Sequence, residues 1–161
     1  MDIDPTAAPD ASYATYPSLV DRTVFITGGA DGIGAAMVEE FATQGSEVAF
    51  ADINPVAAAE TLERCAALDP RHTPRFYEVD LVDIPATKRA VDRALDDLGG
   101  ISVLVNNAAS DDRLTGDEMT PEYWDDRLNT HHRHNFFCIQ AGAPQRIEAG
   151  NGWIVNNGAS S

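Results

Sequence analysis

A glycine-rich turn between a short apolar run and a helical pattern constrains the fold of this chain most strongly. The turn spans residues 27–34 with the sequence T-G-G-A-D-G-I-G, and it follows the apolar residues 24–26. Apolar side chains then recur at helical spacing, at Ile33, Met37 and Phe41. Glycine permits a sharp turn and a close approach of the backbone to a ligand, and a helix N-terminus attracts negative charge. The segment therefore predicts a strand–turn–helix unit that binds a phosphate group.

The rest of the chain alternates short apolar runs with amphipathic stretches. Such alternation is typical of βαβ units around a parallel sheet. We therefore predict an α/β fold with a doubly wound parallel sheet of the Rossmann type. The predicted strands are 24–27, 47–51, 75–79, 101–106 and 153–156, and the predicted helices are 32–44, 55–68, 84–98 and a long region from 121 to about 148.

The length and charge of the chain limit what it binds and where it acts. Its 161 residues fit one domain, and we expect a loose, proline-bearing arm over 1–20 before a dinucleotide-binding domain over 21–161. A net charge of −15 argues against nucleic acid or an anionic membrane as partner. No run is long enough for a membrane span, and no secretory signal is evident. With Cys65 and Cys138 isolated, we expect a cytoplasmic protein with reduced thiols.

An acidic residue lies where a dinucleotide site requires one. Asp52 closes the apolar run 48–51, 18 residues after Gly34. A carboxylate at the end of the second strand accepts hydrogen bonds from both ribose hydroxyls of NAD and repels the 2′-phosphate of NADP. Asp31 adds a second negative charge nearby, so NAD is favoured over NADP. The alternative is that Asp52 merely starts the turn into Asn54-Pro55.

Four motifs in order resemble the short-chain dehydrogenase/reductase family. They are T-G-x-x-x-G-I-G at 27–34, Asp80-Leu81, N-N-A-A at 106–109 and G-W-I-V-N at 152–156. Shorter segments are similar to the bacterial NAD-dependent aldose 1-dehydrogenases of the D-xylose type, and these are Y-P-S-L at 16–19, D-D-R at 111–113 and residues 133–138. The resemblance implies a Rossmann fold, NAD as cofactor, a small-molecule substrate such as a sugar, and a homo-oligomer.

The resemblance also implies a role for individual cofactor-binding residues. The pyrophosphate turn would be formed by Gly28, Ala30, Asp31, Gly32 and Ile33. The adenine ribose would be held by Asp52 and Ile53, the adenine by Asp80 and Leu81, and the sugar next to nicotinamide by Asn107, Ala108 and Ala109. Alternatively, Asp80 is a plain helix or turn cap, and Asn106 and Asn107 are ordinary loop residues.

The catalytic groups of that family are not found in their places here. No Tyr-x-x-x-Lys occurs, because Lys88 is the only lysine and Tyr123 is the last tyrosine. The asparagine of the proton relay aligns with His131, and the serine aligns with Ala159 in strict register or with Ser160 after a one-residue bulge. We therefore assign no catalytic residue and expect a domain that is incomplete at its C-terminal side, which also makes normal oligomerisation doubtful.

Three functions remain open from the sequence. The first is an NAD-dependent oxidoreductase that transfers hydride between NAD and a hydroxyl or hemiacetal substrate such as an aldose. The second is a catalytically inactive NAD-binding fragment, and an interaction module with the same fold is a weaker third. His131, His132 and His134 invite a metal interpretation because His131 and His134 share a helical face. Neither a carboxylate nor a third ligand lies at a set spacing from that pair, so we expect no metal site.

Overall fold

Five parallel strands form one sheet in the computed structural model, which describes residues 14–110, 114–150 and 152–158. Their order across the sheet is β3-β2-β1-β4-β5. The strands are β1 (Thr23–Thr27), β2 (Glu47–Asp52), β3 (Arg75–Glu78), β4 (Val103–Asn106) and β5 (Trp153–Asn156). The predicted α/β fold is confirmed, and every predicted strand is present within two residues of its expected bounds.

Within the described residues, five α-helices connect the strands. The first three begin and end where the local sequence favours it, and the long predicted helix is divided in two by a π-helical turn. They are α1 (Gly32–Thr43), α2 (Pro55–Ala67), α3 (Ile84–Leu98), α4 (Pro121–Leu128) and α5 (His134–Ala149), with the π-helical turn over Asn129–Arg133.

Side chains at helix ends set these boundaries. Asn54 accepts hydrogen bonds from the amides of Val56 and Ala57, and Asp83 accepts one from Ala86, so both cap the helix that follows them. Gly99 ends α3 in the left-handed conformation with φ +67°, which glycine adopts without steric cost. These residues therefore set where α2 and α3 begin and where α3 ends.

The sheet buries apolar side chains on both faces. Alternate residues of β1 point to opposite faces, so Val24 and Ile26 pack with Phe50 beneath α1 and α2, while Phe25 packs with Leu104 beneath α3 and α5. All five of these side chains are fully buried. Helices on both faces of a parallel sheet produce the three-layer doubly wound arrangement that the sequence predicts.

A π-helical turn interrupts the region from 121 to about 148, where the sequence predicts a single long helix. Its five residues are Asn129–Arg133, and the side-chain carboxamide of Asn135 donates to the His131 carbonyl at 3.1 Å. A π turn holds one residue more than an α turn, so the side chains after it are rotated relative to those before it. As a result His134 is fully buried, whereas His132 is exposed. Burial lowers the pKa of His134 below its ordinary value.

Part of the expected N-terminal arm is attached to the domain. Residues 17–19 form a 3-10 turn, and Gln44 both accepts from the Tyr16 amide and donates to the Ala14 carbonyl. The Ser46 hydroxyl donates to the Leu19 carbonyl at 2.8 Å. Residues 14–20 are therefore hydrogen-bonded to the end of α1 and the start of β2. Residues 1–13 lie outside the described residues, and the domain boundary at residue 21 stays a prediction.

The side of the sheet formed by β5 is exposed. All four residues of β5 are exposed, and Trp153 is covered only in part by the Arg22 guanidinium, 4.9 Å from its ring. In the part of the chain described, no helix is both long and apolar enough to cross a membrane.

Burial makes the two free thiols unreactive. It raises the pKa of Cys65 to about 11 and that of Cys138 to about 12, and only a thiolate attacks a disulfide reagent. At about pH 8 we expect no reaction of either thiol with a disulfide reagent in the folded protein, and two equivalents after unfolding in guanidinium. Absorbance of the released thiolate measures both. Rapid native labelling at this pH would contradict the burial of α2 and α5.

Candidate nucleotide-binding site

The predicted site residues of the described chain lie together at one edge of the sheet, the edge formed by the carboxyl ends of the strands. From β1 the chain builds outward to β2 and β3 on one side and to β4 and β5 on the other. Parallel strands on either side of such a reversal point their carboxyl ends into a common crevice. The loops after β1, β2, β3 and β4 all lie at this edge, and they carry the residues that the sequence analysis selected.

The glycine turn after β1 is too crowded for side chains. Gly28 has φ +69°, and a Cβ there would lie 2.7 Å from the Cα of Ala108. A Cβ on Gly34 would lie 1.8 Å from the Gly28 carbonyl oxygen. Gly28 is therefore required by its positive φ and by the loop after β4, and Gly34 is required by the close approach of the glycine turn to α1. By contrast, Gly32 at the start of α1, with φ +56°, has nothing within 4 Å of its Cβ position, so the helix N-terminus is open.

A buried threonine joins the glycine turn to the loop after β4. The Thr27 hydroxyl accepts from the amides of Asn107 at 3.0 Å and Ala108 at 3.2 Å. In return the Asn107 carboxamide donates to the carbonyls of Thr27 at 3.3 Å and Gly28 at 3.1 Å. Asn107 is thus a bridge between two loops and not an ordinary loop residue. The sequence motif includes Thr27 but does not predict this bridging role.

The Asp52 carboxylate contacts both its own loop and the glycine turn. One oxygen accepts from the Asn54 amide at 3.0 Å, as the turn interpretation predicts. The other accepts from the Ala30 amide at 3.1 Å, which joins the ends of β2 and β1. Asp52 is only partly buried, so lone pairs of the same carboxylate remain accessible at the crevice. Ile53, beside it, is 64% exposed.

Two further aspartates at this edge accept hydrogen bonds from nearby backbone. Asp31 is the N-cap of α1 and accepts from the Gly32 amide at 2.7 Å. Asp80 accepts from the Val82 amide at 3.0 Å and so caps a turn, whereas Asp83 is the cap of α3. The alternative of a turn cap for Asp80 is therefore observed, and it leaves the second Asp80 oxygen available to a ligand.

The remaining predicted residues lie at the rim of the crevice or outside the described residues. Ile33 is 65% exposed at the start of α1, and Ala109 is exposed after β4. Leu81 packs against the core beneath α3. The aligned serine positions, Ala159 and Ser160, lie outside the described residues, as do 111–113. Within the described ranges, no three His, Cys, Asp or Glu side chains are grouped to hold a metal ion.

Comparisons with known proteins agree with this geometry. The short chain dehydrogenase family model matches residues 22–160. The probable galactose dehydrogenase of Rhizobium meliloti strain 1021 is 46% identical over 141 residues, which are 88% of this chain and 55% of that protein. The D-xylose 1-dehydrogenase of Caulobacter vibrioides strain NA1000 is 41% identical over 150 residues, 93% of this chain and 58% of that protein.

A solved structure shares the fold. The carveol dehydrogenase of Mycobacterium avium, crystallised in complex with NAD, superposes with a TM-score of 0.76 at 26% identity, covering 85% of this chain and 54% of that chain. The chain therefore belongs to the short-chain dehydrogenase family. It spans somewhat more than half the length of the curated relatives it matches.

Removal of the Thr27 hydroxyl tests the connection between the two loops. Thr27→Val keeps the shape but leaves the amides of Asn107 and Ala108 without their acceptor. We expect a loss of about 2–4 kcal/mol in the free energy of unfolding, because each buried unpaired amide costs about 1–3 kcal/mol. Urea denaturation followed by circular dichroism measures this loss.

Thr43→Val is the matched control, since the Thr43 hydroxyl donates only to the Glu39 carbonyl on the exposed face of α1. We expect this control to change stability by less than about 1 kcal/mol. Equal losses in the two variants would contradict a bridging role for Thr27.

Proposed function

We propose that this chain binds NAD(H) at the crevice between β1 and β4. The residues proposed to contact it are Gly28, Ala30, Asp31, Gly32, Ile33, Asp52, Ile53, Asp80, Leu81, Asn107, Ala108 and Ala109. The observation that carries the proposal is the hydrogen bond between the Asp52 carboxylate and the Ala30 amide. It holds a ribose-binding group against the phosphate-binding turn, as a dinucleotide requires.

Two features of the site fit the charge distribution of NAD. The open N-terminus of α1 provides the positive end of a helix dipole for the pyrophosphate. The partly exposed Asp52 carboxylate accepts from ribose hydroxyls and repels a 2′-phosphate. Together they favour NAD over NADP. The Mycobacterium avium neighbour, whose structure contains NAD, supports NAD(H) as the ligand.

We further propose that the activity of this protein is the oxidation of a small hydroxylated substrate such as an aldose. NAD would accept the hydride from the hydroxyl or hemiacetal carbon. The support comes from two relatives described as galactose and D-xylose dehydrogenases, each at least 41% identical to this chain. Two buried free cysteines are compatible with action in the reducing cytoplasm.

A second candidate function is NAD binding without turnover by the 161 residues on their own. Their sequence contains no Tyr-x-x-x-Lys, and proton transfer by a positioned group contributes about 10²–10⁴-fold to rates. We expect saturable NAD binding but no NADH production from galactose or xylose, measured by absorbance with the purified chain. Measurable NADH formation above a no-protein control would overturn this second candidate and favour an active enzyme.

Substitution of Asp52 tests the cofactor preference. Asp52→Asn removes the charge and one of two acceptor oxygens, so the glycine turn or the ribose loses a partner. We expect NAD affinity to fall about tenfold and the preference for NAD over NADP to narrow by a similar factor, since one charge-assisted hydrogen bond contributes about 1.5–3 kcal/mol. Isothermal titration calorimetry with both dinucleotides measures the two effects.

Asp69→Asn is the matched control for this experiment. It removes the same charge just beyond the C-terminal end of α2, away from the crevice, and asparagine tolerates the positive φ of 49° found there. We expect its affinities to equal those of the unchanged protein. If NADP binds the unchanged protein as tightly as NAD does, the proposed preference is wrong.

A further inference from the structure

The ends of β4 and β5 are joined by two pairs of asparagine side chains. The Asn106 carboxamide donates to the Asn156 oxygen at 2.8 Å, and the Asn157 carboxamide donates to the Asn107 oxygen at 2.8 Å. The Asn157 amide also donates to the Asn106 carbonyl at 2.8 Å. The two pairs are chemically alike, but they differ in the further hydrogen bonds that their asparagine side chains make.

The direction of the second pair is fixed by its surroundings. The nitrogen of the Asn107 carboxamide faces the carbonyls of Thr27 and Gly28, both of which can only accept hydrogen bonds. Its oxygen must therefore face Asn157, and that oxygen needs a donor. The Asn157 nitrogen supplies it. A chain of hydrogen bonds thus runs from the end of β5 through Asn107 to the carbonyl of the glycine turn.

We propose that Asn157 is a positioning residue for the dinucleotide site, acting through Asn107 on Gly28. The proposal rests on the proposed function, because its readout is NAD binding. By donating to the Asn107 oxygen, Asn157 reinforces the orientation in which the Asn107 carboxamide donates to the Gly28 carbonyl. That carbonyl lies against Gly34, so its placement sets how the glycine turn meets α1.

The first pair provides a chemically matched contrast. Asn156 accepts from Asn106, and the Asn106 side chain makes no hydrogen bond to the glycine turn among the described residues. An aspartate at 156 keeps the acceptor. An aspartate at 157 removes the donor and places a carboxylate against the Asn107 oxygen. This repulsion weakens the orientation in which the Asn107 carboxamide donates to the carbonyls of Thr27 and Gly28, because residue 157 then offers no donor to its oxygen.

The experiment compares three variants of the full 161-residue chain with the unchanged protein. NAD affinity is measured by isothermal titration calorimetry, and folding is checked by thermal unfolding. We expect Asn157→Asp to weaken NAD binding about tenfold or more, and Asn157→Leu to weaken it about threefold, because leucine removes the donor without adding repulsion. Asn156→Asp should bind NAD within about twofold of the unchanged protein.

The outcomes separate this proposal from the proposed function. Unchanged protein that does not bind NAD overturns both. Unchanged protein that binds NAD, with Asn157→Asp binding equally well, overturns the role of Asn157 alone. Equal weakening by Asn156→Asp and Asn157→Asp also overturns it, since charge at the strand end would then explain both.

If Asn157→Asp does not unfold cooperatively, the NAD affinity of Asn157→Leu tests the proposal instead. Weakening of about threefold with an unchanged melting temperature supports positioning through Asn107, and unaltered affinity overturns it.

Discussion

The close approach of the Gly28 carbonyl to α1 is the contact on which the site depends. That carbonyl occupies the space that a side chain on Gly34 would need, and Asn107 donates to it from the neighbouring loop. Thr27 binds the same loop through two backbone amides. The glycine turn is therefore not an isolated loop. Contacts with β1, with the loop after β4 and with α1 together set the shape of this turn.

Carboxylates accept hydrogen bonds from the backbone of the loops around the candidate site. Asp52 accepts from Ala30 and Asn54, Asp31 accepts from Gly32, and Asp80 accepts from Val82. Amides near a helix N-terminus favour negative charge, which compensates part of the repulsion in a chain of net charge −15. In the proposed NAD complex, the carboxylate of Asp52 that holds these loops in place would also accept from ribose hydroxyls and repel an additional phosphate.

Local sequence signals predicted the fold well because they act over short distances. Apolar runs placed the strands, and caps such as Asn54 and Gly99 placed helix ends. The π-helical turn at Asn129–Arg133 was not predictable, because no residue type there requires an extra residue per turn. The contacts of Asp52 with Ala30 and of Asn157 with Asn107 were also missed. They depend on loop conformation and strand register across 22 and 50 residues, which periodicity does not encode.

Backbone amide chemical shifts during an NAD titration of the isotope-labelled chain test the central claim most directly. The account predicts saturable shifts in residues 28–33, in 52–53, in 80–81 and in 107–109, with α4 and the outer face of α2 unaffected. Such a pattern would place the dinucleotide across the carboxyl ends of β1, β2, β3 and β4. An absence of saturable shifts, or shifts confined to residues away from that edge, would contradict the account.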